Sequence, residues 1–149
     1  RGRICTQREE QALQAAVNLR YCDSLEALLA EADIVSLHCP MTAENRHLID
    51  AQALAAMKPE AVLINTGRGE LVDEAALTQA LQQGTIAAAG LDVYEQEPRI
   101  SETLRQLPNT CLLPHIGSAT RECRMDMVKR MLANVLALVS RKTPADLVS

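Results

Sequence analysis

A doubly wound α/β fold around a parallel sheet is predicted by three features of the sequence. Apolar runs of about four to eight residues recur along the chain, continuous rather than alternating, as strands covered on both faces would be. Between them lie stretches that open on a capping residue and close on Gly or Pro, as helices do. Finally, 149 residues with 48% hydrophobic and 23% charged side chains describe one globular domain with a core, not a disordered chain.

Taken in order, the residues up to Arg20 are polar and irregular, with helical spacing around Glu9 to Val17. Asp23-Ser24 supplies an N-cap and Glu26 follows at capping-box spacing, so a short helix is expected over Leu25 to Ala32. Ile34 to Leu37 reads as a strand. Asp50 caps a helix running to Met57, which Pro59 stops. Ala61 to Asn65 is the second apolar run. Asp73 caps a helix that Gly84 ends, a glycine suited to a left-handed stop. Ile86 to Val93 and Thr110 to Leu113 are two further runs, and the small residues of "IAAAGLD" allow a helix to pack closely on the sheet. A last helix is expected from Ser118 or Thr120 to about Ser140. Met125, Val128, Leu132, Val135, Leu136 and Val139 follow helical spacing, while Met127, Met131 and Leu138 widen the stripe. So broad a stripe fits either a core helix or a face docked on another domain or subunit.

Bulk properties narrow the function classes. A net charge of −4 argues against nucleic acid and anionic membranes as partners, both of which select basic faces. No apolar stretch reaches the length of a membrane span, and no signal-peptide pattern opens the chain. The five cysteines (Cys5, Cys22, Cys39, Cys111 and Cys123) are odd in number and lack a C-x-x-C pair. They read as free thiols of a reducing cytosol, two of them in apolar runs as small core residues, and no metal site is expected. The chain opens on Arg-Gly-Arg without Met, as a piece of a longer protein would.

In an open parallel sheet, ligands bind outside the carboxyl ends of the strands. There the sequence places His38-Cys39-Pro40 after the first run and Thr66-Gly67-Arg68-Gly69 after the second. Asp92 follows the third, with Glu95 and Glu97 beyond, and Pro114-His115-Ile116-Gly117-Ser118 follows the fourth. Each has a plain structural reading. Arg68 suits a solvated turn, the glycines a simple bend, Asp92 a cap, and Glu95 and Glu97 a solvated acidic face. His115 suits a hydrogen-bonded structural role, and His47 the surface. The stretch around Gly67 and Gly69 is not a G-x-G-x-x-G fingerprint. "GSAT" is not a nucleophile elbow, so Ser118 suits a helix cap better than a nucleophile. Jointly the residues say more. A histidine with a nearby carboxylate is a tuned acid–base pair, because the carboxylate stabilises imidazolium. An arginine on the same rim can grip a carboxylate through two parallel N–H donors. A carboxylate anchor and a proton donor are what reduction of a 2-keto acid requires.

From Tyr21 through Val139 the chain resembles the D-isomer-specific 2-hydroxyacid dehydrogenases. The likeness rests on "ADIVSLHCPMTAENRHLID", "MKPEAVLINTGRGELVDEAAL", "GLDVYEQEP" and "LLPHIGSAT", in the family's order. The last block is most similar to the glyoxylate/hydroxypyruvate reductase branch, with 2-ketogluconate reductases alike there. The resemblance implies a Rossmann-like nucleotide-binding fold, NAD or NADP as cofactor and a small 2-keto or 2-hydroxy acid as substrate. It further implies a cytoplasmic enzyme, homodimeric when full length. By the same resemblance Arg68 would bind the substrate's carboxylate and carbonyl. His115 would protonate the carbonyl oxygen as hydride arrives from the nicotinamide, and Glu97 would pair with His115 and hold it protonated. Asp92 would take the nicotinamide carboxamide. Cys39, Pro40, Thr66, Gly67, Gly117 and Ser118 would line the cofactor beside Arg68 and His115.

The likeness also implies a C-terminal half, inactive by itself, without the substrate domain or the first βαβ unit whose glycine-rich turn holds the pyrophosphate. Residues 1–117 would then be a partial nucleotide-binding domain, and 118–149 a helix and tail at the interface with the absent domain. Arg1 and Arg3 would lie near the ribose 2′ position, a hint of NADP. Non-enzymatic dinucleotide-sensing corepressors share this fold and rim, so on the sequence a sensor stands beside a reductase.

Overall fold

The computed structural model describes residues 20–147. Arg1, Arg3, Cys5 and the helical spacing of Glu9 to Val17 lie outside them. The chain falls into two compact units, one ending at Pro114 and the other beginning at His115.

The first unit is a parallel sheet of four strands among the described residues: β1 (Ile34–Leu37), β2 (Val62–Asn65), β3 (Ala88–Leu91) and β4 (Thr110–Leu112), in that spatial order. They are connected through α2 (Ala51–Ala56), α3 (Glu74–Gln83) and the short α4 (Glu102–Arg105), and α1 (Leu25–Glu31) precedes β1. Right-handed crossovers between strands added in one direction bring their helices to one side of a sheet. The burial of the strands follows this. Val35, Leu37, Leu63, Asn65, Ala89 and Leu91 are buried, whereas the alternate residues Ile34, Ser36, Val62, Ile64, Ala88 and Gly90 are exposed or half-buried. Strands covered on both faces were expected from the continuous apolar runs; among the described residues one face is covered more than the other. The core beneath the covered face holds Leu29, Ile49, Leu54, Leu63, Leu77 and Ile86, all within a percent of full burial. Each contributes about 1.5–3 kcal/mol in hydrophobic transfer.

Local signals set the helix ends. Asp50 accepts from the Ala53 amide at 2.8 Å and Asp73 from the Ala76 amide at 2.9 Å, as the sequence predicts. Gly84 closes α3 in the left-handed region, at φ 69°. At α1 the cap is Ser24, whose hydroxyl accepts from Ala27 at 3.1 Å. The third helical residue is therefore Ala27, and Glu26 forms no capping box. The third run is trimmed to Ala88–Leu91, the residues in ladder register with Val62–Asn65, and the amides of Ala87 and Asp92 add one bond each, to Ala61 O and Asn65 O. Helix α4, absent from the sequence reading, is capped by Ser101, which accepts from Leu104 at 3.5 Å.

The second unit contains α5 (Arg121–Val139), capped by Thr120 rather than Ser118 through an acceptor bond from Cys123 at 3.1 Å. None of its residues is buried, and its apolar stripe is about half exposed, so it is not the core helix that one expectation allowed. The following segment is clasped to it by Asp146. That carboxylate accepts from Arg130 Nε at 2.9 and 3.0 Å and from Asn134 Nδ2 at 2.8 Å. Among the described residues no helix is long and apolar enough to cross a membrane. The described cysteines are free thiols, and Cys111, expected as a small core residue, is exposed on β4.

Candidate active site

Strand register builds the rim. Leu37, Asn65 and Leu91 are paired across β1, β2 and β3, and Leu112 pairs with Leu91. The next residue of each of the first three strands, His38, Thr66 and Asp92, therefore stands at the same carboxyl edge. Two bonds beyond the ladder extend it: the Asp92 amide donates to Asn65 O at 3.0 Å, and the Leu113 amide to Leu91 O at 2.8 Å.

At this edge opens a cleft of about 650 Å³ lined by Cys39, Pro40, Thr66, Gly67 and Arg68, together with His38, Met41 and Glu70. Five residues expected at the cofactor thus share one concavity. Arg68 is exposed there; its Nη1 donates to Gly67 O at 2.8 Å, and among the described residues it pairs with no carboxylate. Most of its five donors remain available to a ligand. The turn that carries it is held from below by Asn65, which is fully buried. Asn65 Oδ1 accepts from the Gly67 amide at 3.0 Å, and its Nδ2 donates to Arg68 O at 2.9 Å. The sequence reading passed over Asn65 as the end of an apolar run. An Asn followed by Thr-Gly is nonetheless the mark of an Asx turn, and that signal was available.

Gly69 has a different task from a bend. A Cβ there would overlap the carbonyl of Tyr94 and the amide of Glu95, so the Arg68 turn lies directly on the backbone that leads to Glu97. Tyr94 is itself buried, at 5% exposure. Its amide donates to Glu97 Oε1 at 3.0 Å, and its hydroxyl donates to Leu113 O at 2.8 Å. Burial, and then the Asp92, Glu74 and Glu97 carboxylates, push the phenol above its ordinary range, which keeps it a donor.

The remaining carboxylates are not a bare acidic face. Glu95 receives Arg46 Nη2 and His47 Nε2, each at 2.8 Å on Oε1, so His47 is a half-buried hydrogen-bond partner rather than a surface residue. Glu74 accepts from the amides of Glu95 at 3.2 Å and Ser101 at 3.3 Å, stapling the loop to the start of α3. The groove of about 540 Å³ beside that staple contains none of the residues expected in catalysis. Asp92 is buried, and Glu97 is exposed. In the second unit His115, Gly117 and Ser118 are exposed, and His115 adopts a left-handed backbone, φ 55°. Such a conformation costs a non-glycine residue about 1–3 kcal/mol and tends to persist where function needs it. Among the described residues no group of three or more His, Cys, Asp or Glu side chains is placed to hold a metal.

An open parallel sheet with a cation-bearing cleft at its carboxyl edge defines a nucleotide-binding α/β domain. The chain belongs to the family "D-isomer specific 2-hydroxyacid dehydrogenase, NAD binding domain", which it matches over residues 4–117. It is 54% identical over 124 residues to glyoxylate/hydroxypyruvate reductase B of Pectobacterium atrosepticum, covering 83% of this chain and 38% of that protein. Among solved structures it is similar to the NADPH-dependent glyoxylate/hydroxypyruvate reductase of Sinorhizobium meliloti in complex with NADP and malonate. The identity there is 42% and the TM-score 0.80, over 84% of this chain and 39% of that one. D-lactate dehydrogenase of Lactobacillus jensenii with NAD+ follows at 34% identity and a TM-score of 0.78, covering 85% and 42% of the two chains. The chain thus spans about two fifths of the relatives it matches.

Proposed function

We propose that the chain serves a reductase that converts a small 2-keto acid of the glyoxylate or hydroxypyruvate type to the D-2-hydroxy acid with NADH or NADPH. The observation that carries this is Arg68, unpaired with any carboxylate among the described residues and fixed by buried Asn65 over the rim cleft. Membership of the dehydrogenase family supports it, as does the identity to reductases acting on those acids.

The cleft fits the nicotinamide end of a dinucleotide. A Cβ on Gly67 would crowd the Leu71 side chain at 3.3 Å, so glycine suits this point of the turn. Cys39, Pro40, Thr66 and Gly67 would hold the ring edge, with Gly117 and Ser118 completing the site, and Asp92 would accept from the carboxamide. When bound, the reduced cofactor supplies the hydride. Arg68 binds the substrate's carboxylate and polarises its carbonyl. His115 donates the proton to the carbonyl oxygen, and Glu97 favours the protonated imidazole. Residues 1–117 act as the nucleotide-binding part and 118–149 as the segment facing the substrate domain. Free thiols suit a reducing cytoplasm. The family likeness further suggests a homodimer, which sedimentation of the full-length protein measures.

The test is steady-state reduction of a panel of 2-keto acids by the full-length protein. Turnover of glyoxylate or hydroxypyruvate is expected. His115→Ala should lower kcat by about 10²–10⁴-fold, the usual worth of a general acid. Cofactor binding without any turnover would instead favour the sensor.

A further inference from the structure

We propose that Tyr94 is a positioning residue, tying together the segments that carry Arg68, Glu97 and, two residues past Leu113 in the chain, His115. This rests on the reductase reading above, and nothing in the sequence motifs assigns the residue a role.

Three parts of one residue make three different contacts. The carbonyl lies against Gly69, so closely that only glycine fits, which seats the Arg68 turn. The amide donates to Glu97 Oε1 at 3.0 Å, which orients the carboxylate assigned to the imidazole. The hydroxyl donates to Leu113 O at 2.8 Å and lies 3.3 Å from Leu91 O, which spans the ends of β3 and β4. Leu113 is the last residue before Pro114-His115, so the phenol restrains the backbone from which His115 departs. A phenylalanine would fill the same buried space and keep the first two contacts; it would lose only the third. The hydroxyl is therefore separable from packing. Misplacing a reacting group by a fraction of an ångström lowers the rate of the chemical step with little effect on substrate capture. Since Arg68 is held independently by Asn65, losing the hydroxyl should spare substrate binding.

The experiment is Tyr94→Phe in the full-length protein, with three measurements. Thermal melting establishes that the fold is kept. Steady-state kinetics should show kcat lowered about 10-fold with KM for the 2-keto acid unchanged. Amide hydrogen exchange, measured without substrate, should show Leu113 exchanging about fivefold faster, the effect of losing one neutral hydrogen bond nearby. A wild-type kcat, or an unchanged Leu113 exchange rate, overturns the proposal; a lower melting temperature with wild-type kcat would mean a structural role only. If the wild-type protein itself reduces no 2-keto acid, the reductase reading has failed, and the exchange measurement still decides whether the hydroxyl holds β4.

Discussion

Asn65 and Tyr94 hold the rim segments through hydrogen bonds, and neither is charged. Asn65→Ala removes both bonds to the Arg68 turn and leaves a buried gap. A loss of about 1–3 kcal/mol in stability is expected, read by chemical denaturation. KM for the 2-keto acid should rise about tenfold, one good hydrogen bond's worth of binding. Tyr94 gives a pH effect of known sign. Its phenol is raised above the ordinary value near 10, so as pH climbs the unfolded chain loses that proton first. The contribution is complete below about pH 10 and fades as pH rises through the higher folded value. Tyr94→Phe should flatten the alkaline limb of a stability-versus-pH curve, and an unchanged limb would contradict this account. Arg68 and His115 stood out in the sequence as candidates because a cation between glycines and an imidazole after proline are unusual. Asn65 was legible only as an Asx turn, and Tyr94 not at all, since its partner Leu113 lies nineteen positions away.

Among the elements, α3 is the best determined by its own residues. Asp73 caps it, Gly84 closes it, and Leu77 and Leu81 bury its inner face. Asp73→Ala should cost about 1 kcal/mol. Gly84→Ala should cost about 1–2 kcal/mol, since nothing but backbone strain opposes it at φ 69° with open space around. Urea unfolding separates the two from wild type. Caps act over three residues, which explains why Asp50 and Asp73 could be read directly, while Thr120 stood as one of two candidates beside Ser118. At α1 two candidate caps stood side by side; with Ser24 rather than Asp23 as the cap, Glu26 is the second helical residue and not the third. Strand ends were harder. Ile86 and Val93 are apolar and buried, yet they fall outside β3, because a strand ends where its neighbour's hydrogen bonds end.

For the molecule as a whole, the core and the tail give contrasting expectations. Leu63, fully buried on the second strand, should cost about 2–5 kcal/mol when changed to Ala, a large share of a typical 5–15 kcal/mol. The clasp on α5 should matter only to the tail. Hydrogen bonding to Arg130, and then to Asn134, holds the Asp146 carboxyl below its usual range. Its contribution is therefore complete above the ordinary value near 4 and is lost as pH falls through the lower folded value. Amide exchange around Asp146 should quicken over that acid range while the sheet stays protected.

The periodicity of apolar residues, the caps and the breakers act within a few positions, so a parallel α/β domain and its candidate chemistry could be read along the chain. Folding alone aligned Leu37, Asn65 and Leu91 and laid Gly69 on Tyr94. Those contacts join residues more than twenty positions apart through backbone groups, which every residue carries alike. No local pattern distinguishes the peptide that will be touched from one that will not, and so the scaffold of the rim emerged only with the sheet.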